Sequence, residues 1–124
     1  MAHSLAIAAG GALGALLRYW VSVGTHGLLG SGFPFGTLAV NALGSLAMGF
    51  LSVLFLDRAG LGPELRAAIL VGLLGSFTTF STFSLETLNL LEGGSRLKLV
   101  ANVGANLGLC LLAVWVGVTA GRKL

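Results

Sequence analysis

Four long apolar runs, separated by short segments rich in glycine or charge, make up most of the chain. A bilayer core of about 30 Å needs about 20 apolar residues in a helix. Four windows meet that length: residues 4–23, 36–56, 67–91 and 99–120. The pattern predicts an all-α membrane protein with four transmembrane helices in one domain, 1–124. The connections are short. "GTHGLLGSGFPF" reads as a Gly-rich loop, "DRAGLGPELR" as a charged loop containing Pro63, and "EGGSRLK" as a turn. The first run does not read as a cleavable signal peptide, because it has no basic leader and Arg18 interrupts its far end.

Polar residues inside the runs recur at helical spacing. Thr37, Asn41 and Ser45 share one face of the second run, and Asn102, Asn106 and Cys110 share one face of the fourth. In the third, Thr79, Thr82 and Glu86 line one face and Phe77, Phe80 and Phe83 another. Any single Ser, Thr or Asn can be read as bonding to its own backbone or joining two helices. Whole stripes are harder to read that way, since polar groups in hydrocarbon are costly and tend to face a partner or a wet pathway.

Composition supports the membrane reading. Apolar residues are 56% of the chain, charged residues 9%, and mean hydropathy is +0.98, whereas soluble domains carry about 25% charge. The 20 glycines suit close helix contacts. Gly10 with Gly14, and Gly104 with Gly108, form two GxxxG pairs of that kind. The net charge of +3 comes from scattered basic residues, mostly where apolar runs end, so it is no nucleic-acid signal. A single cysteine excludes an intrachain disulfide, and His3 and His26 show no ligand spacing and are placed near chain ends or loops. With a cytoplasmic N-terminus, Arg58, Arg66, Arg122 and Lys123 fall on the cytoplasmic side, and Arg96 and Lys98 on the other. This slight bias accommodates either a single orientation or insertion both ways up.

The stretch "GSFTTFSTFS", residues 75–84, concentrates hydroxyls and three phenylalanines within a membrane run. It is poor helix material, with a glycine, paired Thr and Ser side chains that compete for backbone bonds. It reads either as a helix break whose freed carbonyls meet a cation, or as a continuous helix whose hydroxyls bond back one turn. Asn amides and hydroxyls offer donors without fixed charge, and the edge of a Phe ring is electropositive. Together they suit a small anion, whereas a cation pore would show acidic rings or a carbonyl filter. Arg18 reads either as a positive field favouring anions or as an ordinary snorkelling side chain.

These residues carry a family resemblance. "GGALGALLRYW" (10–20), "FGTLAVNALGSLAMG" (35–49) and "GLLGSFTTFSTFSLE" (72–86) stand in the order and spacing of the Fluc/CrcB family of bacterial fluoride channels, which the chain resembles over nearly its whole length. The resemblance implies an antiparallel, dual-topology homodimer in the bacterial cell (inner) membrane, giving passive fluoride efflux that lowers cytoplasmic fluoride. It implies a third helix broken near mid-membrane and a structural Na⁺ held by the carbonyls of Gly75 and Thr78, with residues 75–78 non-helical. Phe80 and Phe83 become the pore phenylalanines and Asn41 the pore amide. Ser81 and Thr82 join the polar track, with Thr37, Glu86, Asn106 and Arg18 also along the pathway. The family often places a Ser or Thr on the fourth helix, where this chain has Asn106 and Cys110.

Two other classes compete. A dual-topology, proton-coupled multidrug exporter would depend on Glu86, the only acidic residue inside a predicted span. A non-conducting helical assembly protein would pass no ion. No nucleophile–base pair, phosphate loop or metal cluster is apparent, so the chain reads as a non-enzyme.

Overall fold

The computed structural model describes residues 1–57 and 60–124, with only the backbone of Asp57; Arg58, counted above among the flanking charges, lies outside the described residues. The described chain is helical: α1 (Ala2–Leu29), α2 (Phe35–Asp57), α3 (Pro63–Arg66), a π-helical stretch (Ala67–Leu73), α4 (Leu74–Phe77), α5 (Phe80–Glu92) and α6 (Arg96–Arg122). Four stretches are long and apolar enough to cross a membrane: Ala2–Leu29, Phe35–Leu56, Pro63–Glu92 and Arg96–Arg122. They correspond to the four predicted spans, each somewhat longer.

The structure corrects two readings. The expected loop from Gly24 is helical up to Leu29, so His26 lies within α1 rather than in a loop. Thr25 donates to the Val21 carbonyl at 2.7 Å, and the helix stops only at Gly30, whose φ of 82° suits a residue without Cβ. The second correction concerns residues 75–78. Gly75, Ser76 and Phe77 are helical, and the extended residues are Thr78 (φ −84°, ψ 159°) and Thr79 (φ −153°, ψ 117°). The helix closes late because both the N–H and the hydroxyl of Thr78 donate to the Leu74 carbonyl, at 3.2 and 3.1 Å. Thr79 then opens α5 as its N-cap, its Oγ1 accepting the Thr82 N–H at 3.2 Å.

Small residues set the helix pairs. α1 lies against the π-helical stretch and α4. A Cβ on Gly10 would sit 2.0 Å from the Ala68 carbonyl oxygen, and one on Gly14 2.1 Å from that of Leu73. Ser76 Oγ adds a polar link there, 2.8 Å from the carbonyl oxygens of both Gly11 and Gly72. α2 and α6 form the most extensive pair. Gly49 faces the Val114 carbonyl and Gly117 that of Leu46, at 2.4 and 2.3 Å from an added Cβ. The pair Gly104 and Gly108, expected to seat a helix, has nothing within 4 Å of an added Cβ; Gly117 and Gly121 fill that role. Helical phase decides this: the face of α6 that meets α2 at this end carries the later pair.

Few side chains are enclosed. Among the described residues Val40, Phe55, Leu74 and Phe83, with Pro34, are the buried apolar side chains, and Thr37, Thr79, Asn102 and Asn106 the buried polar ones. Four buried polar side chains among so few enclosed ones point to a bundle organised around a polar interior.

Candidate functional site

The interior is organised around Thr79. Its extended backbone leaves an N–H and a C=O that no helix satisfies, and the Asn41 side chain from α2 takes both. Thr79 N–H donates to Asn41 Oδ1 at 2.7 Å, and Asn41 Nδ2 donates to the Thr79 carbonyl at 3.0 Å. One amide thus replaces the backbone partners lost at the junction of α4 and α5. Gly44, one turn further along α2, makes room, since a Cβ there would lie 2.2 Å from Thr78 Cγ2.

From Asn41 a chain of hydrogen bonds runs through α6 and back to α5. Asn41 Nδ2 donates to Asn106 Oδ1 at 3.1 Å. Asn106 Nδ2 donates to the Asn102 carbonyl and Oδ1, at 2.9 and 3.0 Å. Asn102 Nδ2 donates to Thr87 Oγ1 at 3.0 Å, and Thr87 donates to the Phe83 carbonyl at 2.7 Å. Asn102 is only 1% exposed, so an unmet amide there would carry the full cost of desolvation, about 1–3 kcal/mol. The stripes on α2 and α6 therefore meet, with every amide group pinned.

Clefts open around this network among the described residues, and three of them bear on the polar interior. The first, about 290 Å³, is lined by uncharged side chains, among them Asn41, Ser45, Phe80, Phe83, Asn106 and Cys110. Phe80 and Phe83 approach at 5.4 Å between ring centroids, tilted by 55°. They differ in burial: Phe83 is 8% exposed and Phe80 74%. The second cleft, about 250 Å³, gathers Arg18, Tyr19, Ser22, Thr37, Thr79 and Thr82. Thr79 lines both. The third, about 190 Å³, contains His26, Glu86 and Asn89 beside the loop Ser31, Gly32, Phe33 and Pro34. Thr37 donates to Glu86 Oε1, which links the second and third.

Among the sequence-derived candidates, Asn41, Phe80, Phe83 and Asn106 come together in the first cleft, and Arg18, Thr37 and Thr82 in the second. Glu86 lines the third. Ser81 lies outside the lining of all three, exposed on the first turn of α5, with its Oγ 3.5 Å from Thr79 Oγ1. The Phe77 stripe does not continue through the extended residues. Phe77 packs towards Gly44, apart from the Phe80–Phe83 pair. Thr79, Asn102 and Thr87 join this polar interior, and the sequence reading did not single them out as site residues. Thr79 had a legible signal, a Thr three residues before the Thr whose N–H it caps. Thr87 had none, because its role depends on where α6 lies. Among the described residues no group of three His, Cys, Asp or Glu could hold a metal ion.

Four apolar spans enclosing uncharged donors, aromatic rings and pinned amides define a small membrane protein with a polar interior. The chain belongs to the CrcB family: residues 5–118 match the family described as "CrcB-like protein, Camphor Resistance (CrcB)". A protein of Methylococcus capsulatus named "Fluoride-specific ion channel FluC" is 60% identical over 119 residues, covering 96% of this chain. This chain spans about half of that relative, 52% of its length. Proteins of the same name from Magnetococcus marinus and Geobacter sulfurreducens are 49% and 44% identical. The matches cover 95% and 100% of this chain, and 96% and 100% of those relatives.

Proposed function

We propose that the protein is a fluoride-selective channel of the bacterial cell membrane, a multi-pass protein giving passive fluoride efflux. One observation carries this reading: the cleft that joins Asn41, Phe80, Phe83 and Asn106 is lined wholly by uncharged side chains. A dehydrated anion is favoured there by donors and ring edges, with no fixed counter-charge to trap it. Arg18 in the neighbouring cleft supplies a positive field, and the relatives named as fluoride-specific channels agree. The exporter reading finds no such support, since the Glu86 carboxylate accepts the Thr37 hydroxyl and the relatives are named as channels.

The working unit is an antiparallel, dual-topology homodimer. Phe80, Ser81, Thr82, Ser84 and Gly75 are exposed in the single chain, and a polar, aromatic face of this kind is costly against lipid. A second copy covers it. The slight charge bias between the two sides is compatible with such insertion.

The third span carries a structural Na⁺ at its interruption near mid-membrane, held by the carbonyls of Gly75 and Thr78. The residues fit this group. In a continuous helix the Gly75 carbonyl would receive the Thr79 N–H, and the Thr78 carbonyl the Thr82 N–H. Here those donors go instead to Asn41 Oδ1 and Thr79 Oγ1. Both carbonyls therefore lose their helical donors, and carbonyls freed in this way suit a cation. One chain supplies two oxygens and two copies four.

Efflux of fluoride and of chloride from liposomes containing the purified protein tests the reading. Fluoride leaves rapidly and chloride stays. Equal release of both ions, or of neither, overturns it.

A further inference from the structure

The clamp on Thr79 has a consequence for how an anion is bound. Four of the polar side chains lining the Phe80–Phe83 cleft have every donor engaged. The two amide hydrogens of Asn41 go to the Thr79 carbonyl and Asn106 Oδ1. Those of Asn106 go to the carbonyl and Oδ1 of Asn102. The Thr78 hydroxyl is engaged by the Leu74 carbonyl and the Thr79 hydroxyl by Thr82 Oγ1, at 3.1 and 3.0 Å. An amide has two donors and a hydroxyl one, so these four residues have none left over.

Ser45 remains. It lines the same cleft, one turn beyond Asn41 on α2, and is half-buried. Other hydroxyls in the helices, such as Thr25, Ser52, Ser84 and Thr87, turn back to a carbonyl of their own helix. Ser45 Oγ has no hydrogen bond among the described residues. The cleft's remaining side-chain donor is the Cys110 thiol, and a thiol donates weakly.

We propose that Ser45 is the hydroxyl that binds the permeating anion beside Phe80 and Phe83, and that Asn41 is a positioning residue. Asn41 holds the extended backbone of Thr79, and so the start of α5 that carries both rings. Its amide does not have to release a partner as each ion passes. The Ser45 O–H offers the charge-assisted bond that replaces one water of a strongly hydrated anion. This inference rests on the fluoride-channel reading and refines its binding site.

The test compares fluoride efflux from liposomes for the unmodified protein, Ser45→Ala and Ser45→Thr over a range of fluoride concentrations, with chloride efflux in parallel. Ser45→Ala removes only the hydroxyl oxygen and is smaller than serine, so assembly is retained and is verified by size-exclusion chromatography. Loss of a hydrogen bond to a charged group shifts the half-saturating fluoride concentration upward by about tenfold or more. The preference for fluoride over chloride falls with it. Ser45→Thr restores both. A half-saturating concentration unchanged in Ser45→Ala, or equal losses in the Ala and Thr variants, overturns the inference while leaving the channel reading standing. An unmodified protein that releases no fluoride overturns both.

Discussion

Asn41 makes three hydrogen bonds, and among the described residues no other side chain reaches both backbone groups of Thr79. Replacing it by alanine strands the Thr79 N–H and carbonyl and the Asn106 oxygen. Each buried polar group left without a partner costs about 1–3 kcal/mol. Asn41→Ala is therefore expected to lower the thermal unfolding temperature in detergent and to abolish fluoride efflux. Normal efflux from a stably assembled variant would show that Asn41 is not needed to position the rings. The two rings make a second contrast. Truncating a buried Phe costs about 3–5 kcal/mol, which applies to Phe83 at 8% exposure and not to Phe80 at 74%. Both Phe→Ala variants should cut fluoride efflux, whereas only Phe83→Ala should markedly destabilise the isolated chain. Paired thermal melts and flux assays measure the two effects separately.

Helix contacts here are decided by which glycines face a neighbouring backbone. Gly14 and Gly24 both lie in α1, yet only Gly14 meets another element. A Cβ on Gly14 collides with the Leu73 carbonyl, a backbone atom that cannot turn away, while one on Gly24 meets nothing within 4 Å. Gly14→Ala should therefore unseat α1 from the third span and reduce the folded yield. Gly24→Ala should be neutral or stabilising by up to about 1 kcal/mol, the usual gain from replacing a helical glycine. Circular-dichroism melts of the two variants distinguish them. The third span follows the same logic. It stays helical as far as Phe77, through the π-helical stretch, because Thr78 still bonds back to Leu74, and it resumes at Phe80 because Thr79 caps it. The two extended residues are tolerated because α2 brings Asn41 alongside.

A single chain of this size leaves most of its surface outward, and part of that surface is not apolar. Ser81, Thr82 and Ser84 lie exposed around the exposed Phe80 ring. If a second copy covers this face, mass measurement in lipid nanodiscs returns two subunits. If Na⁺ joins the two copies through the Gly75 and Thr78 carbonyls, replacing Na⁺ by a large organic cation lowers both the thermal stability and the fluoride flux. A monomer with full flux and no response to Na⁺ would defeat both proposals together.

The four spans, their all-helical character and the polar stripes on the second and fourth were readable from residue order alone. Apolar length sets the first two, and a spacing of four sets the third. The motifs around Arg18, Asn41 and Phe80 also carried the family. Helical phase relative to a neighbour was not readable, because a periodic pattern says which residues share a face and not what that face meets. Gly104 with Gly108 and Gly117 with Gly121 are alike in sequence, yet only the second pair touches α2. The extended residues were expected from Gly75 to Thr78 and lie at Thr78 and Thr79, because the outcome depends on where Asn41 can reach. Asn41 and Asn106 looked like free donors, and folding turned them into acceptor-matched members of one chain. Which polar groups remain free for an ion is a property of pairing in three dimensions, settled only once α2, α5 and α6 are packed together.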